Sequence, residues 1–432
     1  MYDAAYRFSI LQVDKMIRYI LKMLFALLPA SIMALLCSCD LGEEIMPMTD
    51  DSRTIEYPEV VLTTTTTETT VTTTTTNVYT PPDDPELIDL LDSLSLERKA
   101  AQLLLVGCSD AEIGNTVCEN GAGGLCLFAK PFEYKTADEV RSMTAGFQDA
   151  AEIPVLLSVD EEGGTVCRVS LNPNLRSTNF WSPRYLFEQG GWELIRSDTE
   201  EKADFLLDLG LNVNLAPVCD VPFNASDFIY PRCFSTDAAE TSEYIETVVG
   251  IMKTHGLGST LKHFPGYGGS ADTHLNMAYD GRTIEEFDAR DLLPFEAGIK
   301  AGADSVMVTH NIVECMDSER PASLSPEVHR ILREELGFRG VIITDDLGMN
   351  AITQFTNGQN PAVAAVLAGN DLLCYADFDN SVAAITDAVR DGTIKEEQID
   401  ASVLRILCWK KSLGLLSGSS DTETTGAHQD AP

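Results

Sequence analysis

Eight short apolar runs recur through residues 86–416, and they constrain the fold of this 432-residue chain more than any other feature. They lie at residues 103–106, 123–128, 155–159, 213–216, 259–262, 305–308, 341–344 and 372–375. Short and nearly unbroken by polar residues, they have the pattern of strands covered on both faces. Segments with helix signals separate them. Thr136…Glu139 and Thr283…Glu286 have the spacing of a capping box, and Ser325-Pro326 offers an N-cap followed by proline at the first helical position. Gly210, Gly256 and Gly337 stand where helices should stop. Eight strands alternating with helices predict an α/β fold, a (β/α)8 barrel. A doubly wound open sheet is the runner-up, but no GxGxxG or phosphate-loop pattern supports it.

The flanks have a different character. Arg18 and Lys22 precede an apolar stretch at residues 23–36, too short to span a bilayer comfortably but suited to a signal-peptide core. It runs into Leu36-Cys37-Ser38-Cys39, which resembles the bacterial lipoprotein signal with Cys39 as the lipid-bearing residue. Cys37 suits that role less well, because Leu36 would precede it. Met16 is the better start site. Residues 1–39 are therefore expected to be a lipoprotein signal peptide. Residues 40–85 carry threonine tracts at 63–67, 69–70 and 72–76, closed by Pro81, Pro82 and Pro85. Such a segment cannot bury enough to fold and reads as a disordered spacer, with a reach of roughly 40 Å as a flexible coil. Residues 86–416 are expected to form a single folded domain, and residues 417–432 read as a disordered tail. The expected placement is extracytoplasmic, with the membrane touched only through the N-terminal lipid.

Lys and Arg number 30 against 67 Asp and Glu, a formal charge of −37. That balance argues against a nucleic-acid partner or binding to an anionic bilayer surface, since both need clustered Lys and Arg. The nine cysteines from Cys108 to Cys408 contain no CxxC pair and no His/Cys spacing suited to zinc. Several, such as Cys126, sit inside apolar runs where a thiol acts as a small hydrophobe. No structural metal, no cofactor and a monomeric state are expected.

Charge and imidazole collect at the C-terminal ends of the runs, which in such a barrel is the active face. Asp160-Glu161-Glu162-Gly163-Gly164 follows the third run, with Arg168 beyond it, and Arg232 lies in the long loop after the fourth. Lys262 and His263 end the fifth; its Gly/Pro-rich loop carries Asp272 and His274. Thr309-His310-Asn311 ends the sixth and Thr344-Asp345-Asp346 the seventh. Any one of these has an ordinary reading as a salt bridge or a helix cap. Together they make a constellation for double displacement at an acetal carbon. Asp345 is placed as a nucleophile, His274 beside Asp272 as acid/base, and Asp160, Arg168, Arg232 and Lys262 as a grip on hydroxyls or an anion.

Four stretches resemble the bacterial β-N-acetylhexosaminidases of glycoside hydrolase family 3. They are residues 159–168, residues 214–221, the loop from Lys262 to His274, and residues 337–347. The resemblance implies a retaining exo-β-N-acetylglucosaminidase acting on a carbohydrate, with peptidoglycan fragments the substrate that suits a tethered surface protein. It makes Asp345 the nucleophile and His274, paired with Asp272, the acid/base. It assigns Asp160, Arg168, Arg232, Lys262 and His263 to the terminal sugar. Other members take their acid from a second domain, whereas this chain carries Asp272 and His274 on its own loop. The β-glucosidases and β-xylosidases, a glycoside phosphorylase and an inactive surface glycan-binding lipoprotein are the alternatives. Three departures stand out. Tyr267 replaces the second histidine of the usual Lys-His-Phe-Pro-Gly-His-Gly, Cys233 replaces a serine after Arg232, and Trp181 and Pro183 sit in an unusual loop. Tyr267 can hydrogen-bond but cannot titrate near neutrality.

Overall fold

The computed structural model describes residues 84–416 apart from residues 271, 274–276 and 376. Residues 1–83, with the expected signal segment, Cys39 and most of the expected spacer, residues 417–432 and His274 lie outside the described residues. The first helix, Pro85–Ser93, starts one residue before the expected boundary, because the Asp84 side chain accepts from the Leu87 N–H and caps it.

All eight apolar runs are strands, and they form one parallel sheet. In chain order the strands are β1 (Leu104–Cys108), β2 (Gly124–Leu127), β3 (Leu156–Val159), β4 (Val213–Asn214) and β5 (Gly258–Phe264). There follow β6 (Tyr279–Asp280), β7 (Ser305–Val308), β8 (Ile312–Val313), β9 (Val341–Thr344) and β10 (Leu373–Cys374). The sheet runs β10-β1-β2-β3-β4-β5-β7-β9, and a bridge between Ile343 and Leu372 brings its two edges together as a barrel. The remaining two strands, β6 and β8, pair outside it. The open-sheet alternative is thereby set aside.

Period-two alternation explains which side chains go where. Leu105, Cys126, Leu156, Val213, Met307, Val341, Ile343 and Cys374 form one buried cluster inside the barrel. Their neighbours Leu104, Val106, Leu125, Leu157, Val306 and Ile342 join the larger core beneath the helices. Ile406 and Trp409, from the helix Glu396–Ser412, complete the inner cluster and close the N-terminal end of the barrel.

The helix signals are realised as well. Thr136 and Thr283 each make the full capping box, and Ser325 caps Pro326–Arg330. Gly210, Gly256 and Gly337 adopt φ of +79°, +77° and +69°, conformations that other residues adopt at a cost. Among the nine cysteines of the domain seven are buried, and no disulfide is present among the described residues.

Candidate active site

Extending the inward parity of each strand by one step brings polar residues to the mouth of the barrel. Leu156 and Ser158 lead to Asp160, Thr260 to Lys262, Met307 to Thr309, and Ile343 to Asp345. The hydrogen bonds bear this out for the first pair. Lys262 Nζ lies 2.7 Å from Asp160 Oδ1, although 102 residues separate the two in sequence. A bulge helps to place the fifth strand's contribution. Leu261 pairs with Val306 but Phe264 pairs with Val308, so one extra residue of β5 is accommodated where Lys262 and His263 sit. Asp345 follows directly from this edge, its N–H donating to Val308 O at 2.9 Å.

The three consecutive carboxylates after β3 do three different things. Asp160 takes Lys262 and, more loosely, Arg168 Nη2 at 3.5 Å. Glu161 faces inward beneath the turn, accepting the N–H groups of Arg168 and Val169 at 2.9 and 2.8 Å and the Ser170 hydroxyl. Glu162 accepts from Lys262 Nζ at 2.6 Å and takes Arg232 bidentately, at 2.9 Å to Nε and 2.7 Å to Nη2. Burial alone would raise the Glu162 carboxyl, but Arg232 and Lys262 outweigh it and hold the group well below the usual carboxylate range. Burial likewise works against the charges of Lys262 and Arg232. The carboxylates beside them, Asp160 and Glu162 for the lysine and Glu162 for the arginine, push both upward instead. The cations are thus locked on.

His263 links a carboxylate to a guanidinium. Its Nδ1 lies 2.7 Å from Asp220 Oδ2, and its Nε2 lies 3.0 Å from Arg232 Nη2. A carboxylate only accepts and a guanidinium only donates, so the ring is neutral with its hydrogen on Nδ1. It relays Asp220 to Arg232 and fixes the guanidinium. His310 is likewise occupied: Nε2 lies 3.0 Å from Asp346 O, a carbonyl that only accepts, and Nδ1 lies 2.7 Å from Ser323 Oγ. It holds the turn that carries Asp345, whose Oδ1 accepts the Asp346 N–H at 2.8 Å.

Of the predicted site residues, Asp160, Arg168, Arg232, Lys262 and His263 form one connected network. Asp160 and Arg168 remain part-exposed at its open side, while Lys262 and Glu162 are buried. Asp272 is half-buried, beside Thr273, whose hydroxyl lies 2.6 Å from that of Tyr267. Tyr267 is fully buried; burial first, and the charge of Asp345 second, push its phenol up. The Lys262–His263 and Phe264–Pro265 peptides are cis. Sequence reasoning gave no role to Glu162 or Asp220, although both lie in the quoted motifs. Their partners are 70 and 43 residues away, and only the fold brings them together.

The departures also find their places. Cys233 and Tyr267 share one small buried cluster with Val218 and Ile229, with Phe228 packed against it. Pro183 opens the helix Pro183–Asp208 behind the cap Ser182. Trp181 is half-exposed, edge-on to Tyr185 at 4.9 Å between ring centroids.

Residues 95–408 match the family described as "Glycosyl hydrolase family 3 N terminal domain". The chain belongs to glycoside hydrolase family 3. It is a glycoside hydrolase with a (β/α)8 barrel, similar to proteins named for the same chemistry. A β-hexosaminidase of Stenotrophomonas maltophilia is 35% identical over 303 residues, covering 66% of this chain and 87% of the relative. Among solved structures, a family 3 β-N-acetylglucosaminidase from Paenibacillus sp. FPU-7 aligns with a TM-score of 0.71 and 31% identity. That alignment covers 77% of this chain and 65% of the longer Paenibacillus chain. The β-glucoside phosphorylase BglX shares the fold, with a TM-score of 0.64 at 24% identity over 77% of this chain and 61% of that one.

Proposed function

We propose that this family 3 glycosidase is a retaining exo-β-N-acetylglucosaminidase that removes terminal non-reducing β-N-acetylhexosamine, with peptidoglycan fragments as its substrate class. In this reading the Asp345 carboxylate attacks the anomeric carbon while the glycosidic C–O bond breaks. The leaving oxygen takes a proton from His274, whose partner is Asp272. Water, giving its proton to His274, then attacks the glycosyl ester and frees Asp345. Asp160 and Arg168, part-exposed beside the fixed Lys262, bind hydroxyls of the terminal sugar. Arg232, oriented by Glu162 and His263, faces the same sugar. Cys39 carries the lipid that tethers the enzyme outside the cytoplasm, and the threonine-rich segment is its stalk.

One observation carries the reading. The Tyr267 phenol shares a hydrogen bond with Thr273, the neighbour of Asp272, and its ring packs on His263 at the mouth where β9 ends before Asp345. This supports an acid/base segment held at the same barrel mouth as the nucleophile. The printed names of the hexosaminidase relatives lend further support for the sugar.

The test compares 4-nitrophenyl β-glycosides of N-acetylglucosamine, glucose and xylose, each with and without inorganic phosphate. Fast release from the N-acetylglucosaminide alone, with free sugar as product, is expected. A preference for glucose or xylose, or release of sugar 1-phosphate, would point to the glucosidases or the phosphorylases instead. Asp345→Asn should lower the rate by several orders of magnitude, because no ester can form; an unchanged background rate would mark a glycan-binding protein.

A further inference from the structure

The position where this chain departs most visibly from its family pattern is also one of the most constrained in the barrel mouth. Tyr267 is 1% exposed. Its ring packs edge-on to His263, with centroids 5.2 Å apart, and edge-on to Phe228 at 4.9 Å. The surrounding cluster contains Val218, Ile229 and Cys233, the second departure. Its N–H donates to Asp220 Oδ1 at 2.8 Å, the carboxylate that also holds His263. A ring seated this way has little rotational freedom, so its hydroxyl is a fixed point. That hydroxyl lies 2.6 Å from Thr273 Oγ1, six residues on and also fully buried.

The first part of the same loop is anchored separately. Ser270 N–H donates to Tyr267 O at 2.7 Å, and the Ser270 hydroxyl donates to Asp280 Oδ2 at 2.9 Å. Asp280 in turn holds Arg282, which reaches Asp291 at 2.6 Å. Arg282 fills the space beside Gly268, where φ is +52° and a Cβ would lie 2.7 Å from the guanidinium carbon. The Tyr267–Thr273 pair is a contact that reaches the Asp-x-His segment itself.

We propose that Tyr267 is a positioning residue for the acid/base, acting through Thr273. The proposal rests on the glycosidase reading above. A rigid hydroxyl fixes Thr273, and with it the chain beside Asp272, the partner assigned to the acid/base. A hydrogen bond to a fixed ring leaves the proton donor aligned with the glycosidic oxygen, and alignment is what general-acid catalysis depends on. Tyrosine does this without titrating near neutrality, so the support does not vary across the working pH range.

The experiment measures kcat/KM, which reports the first step, for an N-acetylglucosaminyl disaccharide and for the 2,4-dinitrophenyl β-N-acetylglucosaminide. The disaccharide needs protonation; the activated aryl group leaves without it. Tyr267→Phe is expected to lose roughly 10- to 100-fold on the disaccharide and about twofold or less on the aryl substrate. Thr273→Ala should show the same split, Thr273→Ser should restore most of the disaccharide rate, and the double variant Tyr267→Phe/Thr273→Ala should be no worse than either single one. Equal losses on both substrates, or none, in folded protein would overturn the proposal. If the wild-type protein cleaves neither substrate, the glycosidase reading fails by itself. Amide hydrogen exchange over residues 268–278 then decides the anchoring. Faster exchange there in Tyr267→Phe and Thr273→Ala but not in Thr273→Ser supports it, and an unchanged profile contradicts it.

Discussion

Two lysines lie buried at opposite ends of one barrel, 1% exposed at Lys262 and 0% at Lys410. At the mouth, Lys262 has two carboxylates within 2.7 Å, and they keep it charged against the cost of burial. At the base, Lys410 rests on the Gln102 amide oxygen at 2.7 Å, and burial brings its ammonium down to about 7. The same side chain in the same fold is thus a fixed charge in one place and a titrating group in the other. Desolvation acts on both, and the partners decide the outcome. The next residue, Lys411, is only part-buried and pairs with Asp84 and Glu86. The mouth is organised to hold charge near a substrate. The base is organised to pack, with Trp409 and Ile406 plugging the strands.

The largest effect is expected at the mouth. Lys262→Met leaves Asp160 and Glu162 without their shared cation, and removing one partner of a buried pair costs about 3–5 kcal/mol. Denaturant unfolding at pH 7 should show that loss, accompanied by loss of glycosidase activity. A fully stable variant would mean that the carboxylates do not depend on the lysine.

At the base the expected sign is opposite. Lys410 has an ordinary value of 10.5 and a folded value of about 7, so between those pH values the unfolded chain binds the extra proton. Stability contributed there is present at high pH and falls as pH drops from about 10 to 7, then levels off. At ~1.4 kcal/mol per unit the whole window is worth at most ~5 kcal/mol. Lys410→Met should therefore be more stable than wild type at pH 7, and the gain should shrink toward pH 10. A pH-independent difference would contradict this. A smaller effect is expected from Gln102→Glu, which gives Lys410 a carboxylate, as Lys262 has. It should flatten the slope between pH 7 and 10 with about 1–3 kcal/mol of effect. An unaltered slope would show that a carboxylate there does not change the state of the lysine.

Much of the barrel was legible in the sequence because its signals are local. Eight apolar runs gave eight strands, and three glycines and two capping boxes fell where the periodicity placed them. Strand-end position also singled out Asp160, Lys262, His263 and Asp345. What the sequence did not resolve is which charge meets which. Asp160, Glu161 and Glu162 are indistinguishable as neighbours in a string. Their separate tasks arise from partners as much as 102 residues away and from the direction each strand end faces. Asp220 was invisible as the support of His263 for the same reason. Tyr267 read as a lost histidine. It is a buried post, packed in a cluster that includes Cys233, another of the departures. Nor does Trp409-Lys410-Lys411 reveal which lysine turns inward.

In the proposed reaction the Asp345 carboxylate, just past the end of β9, forms a bond to the sugar. Incubation with 2-acetamido-2-deoxy-5-fluoro-β-glucosyl fluoride, followed by mass spectrometry of the digested protein, tests it directly. A single 5-fluoro-N-acetylglucosaminyl adduct on the peptide containing Asp345, absent from Asp345→Asn, is the expected result. An adduct on a different residue, or turnover of the reagent by Asp345→Asn at the wild-type rate, would contradict it.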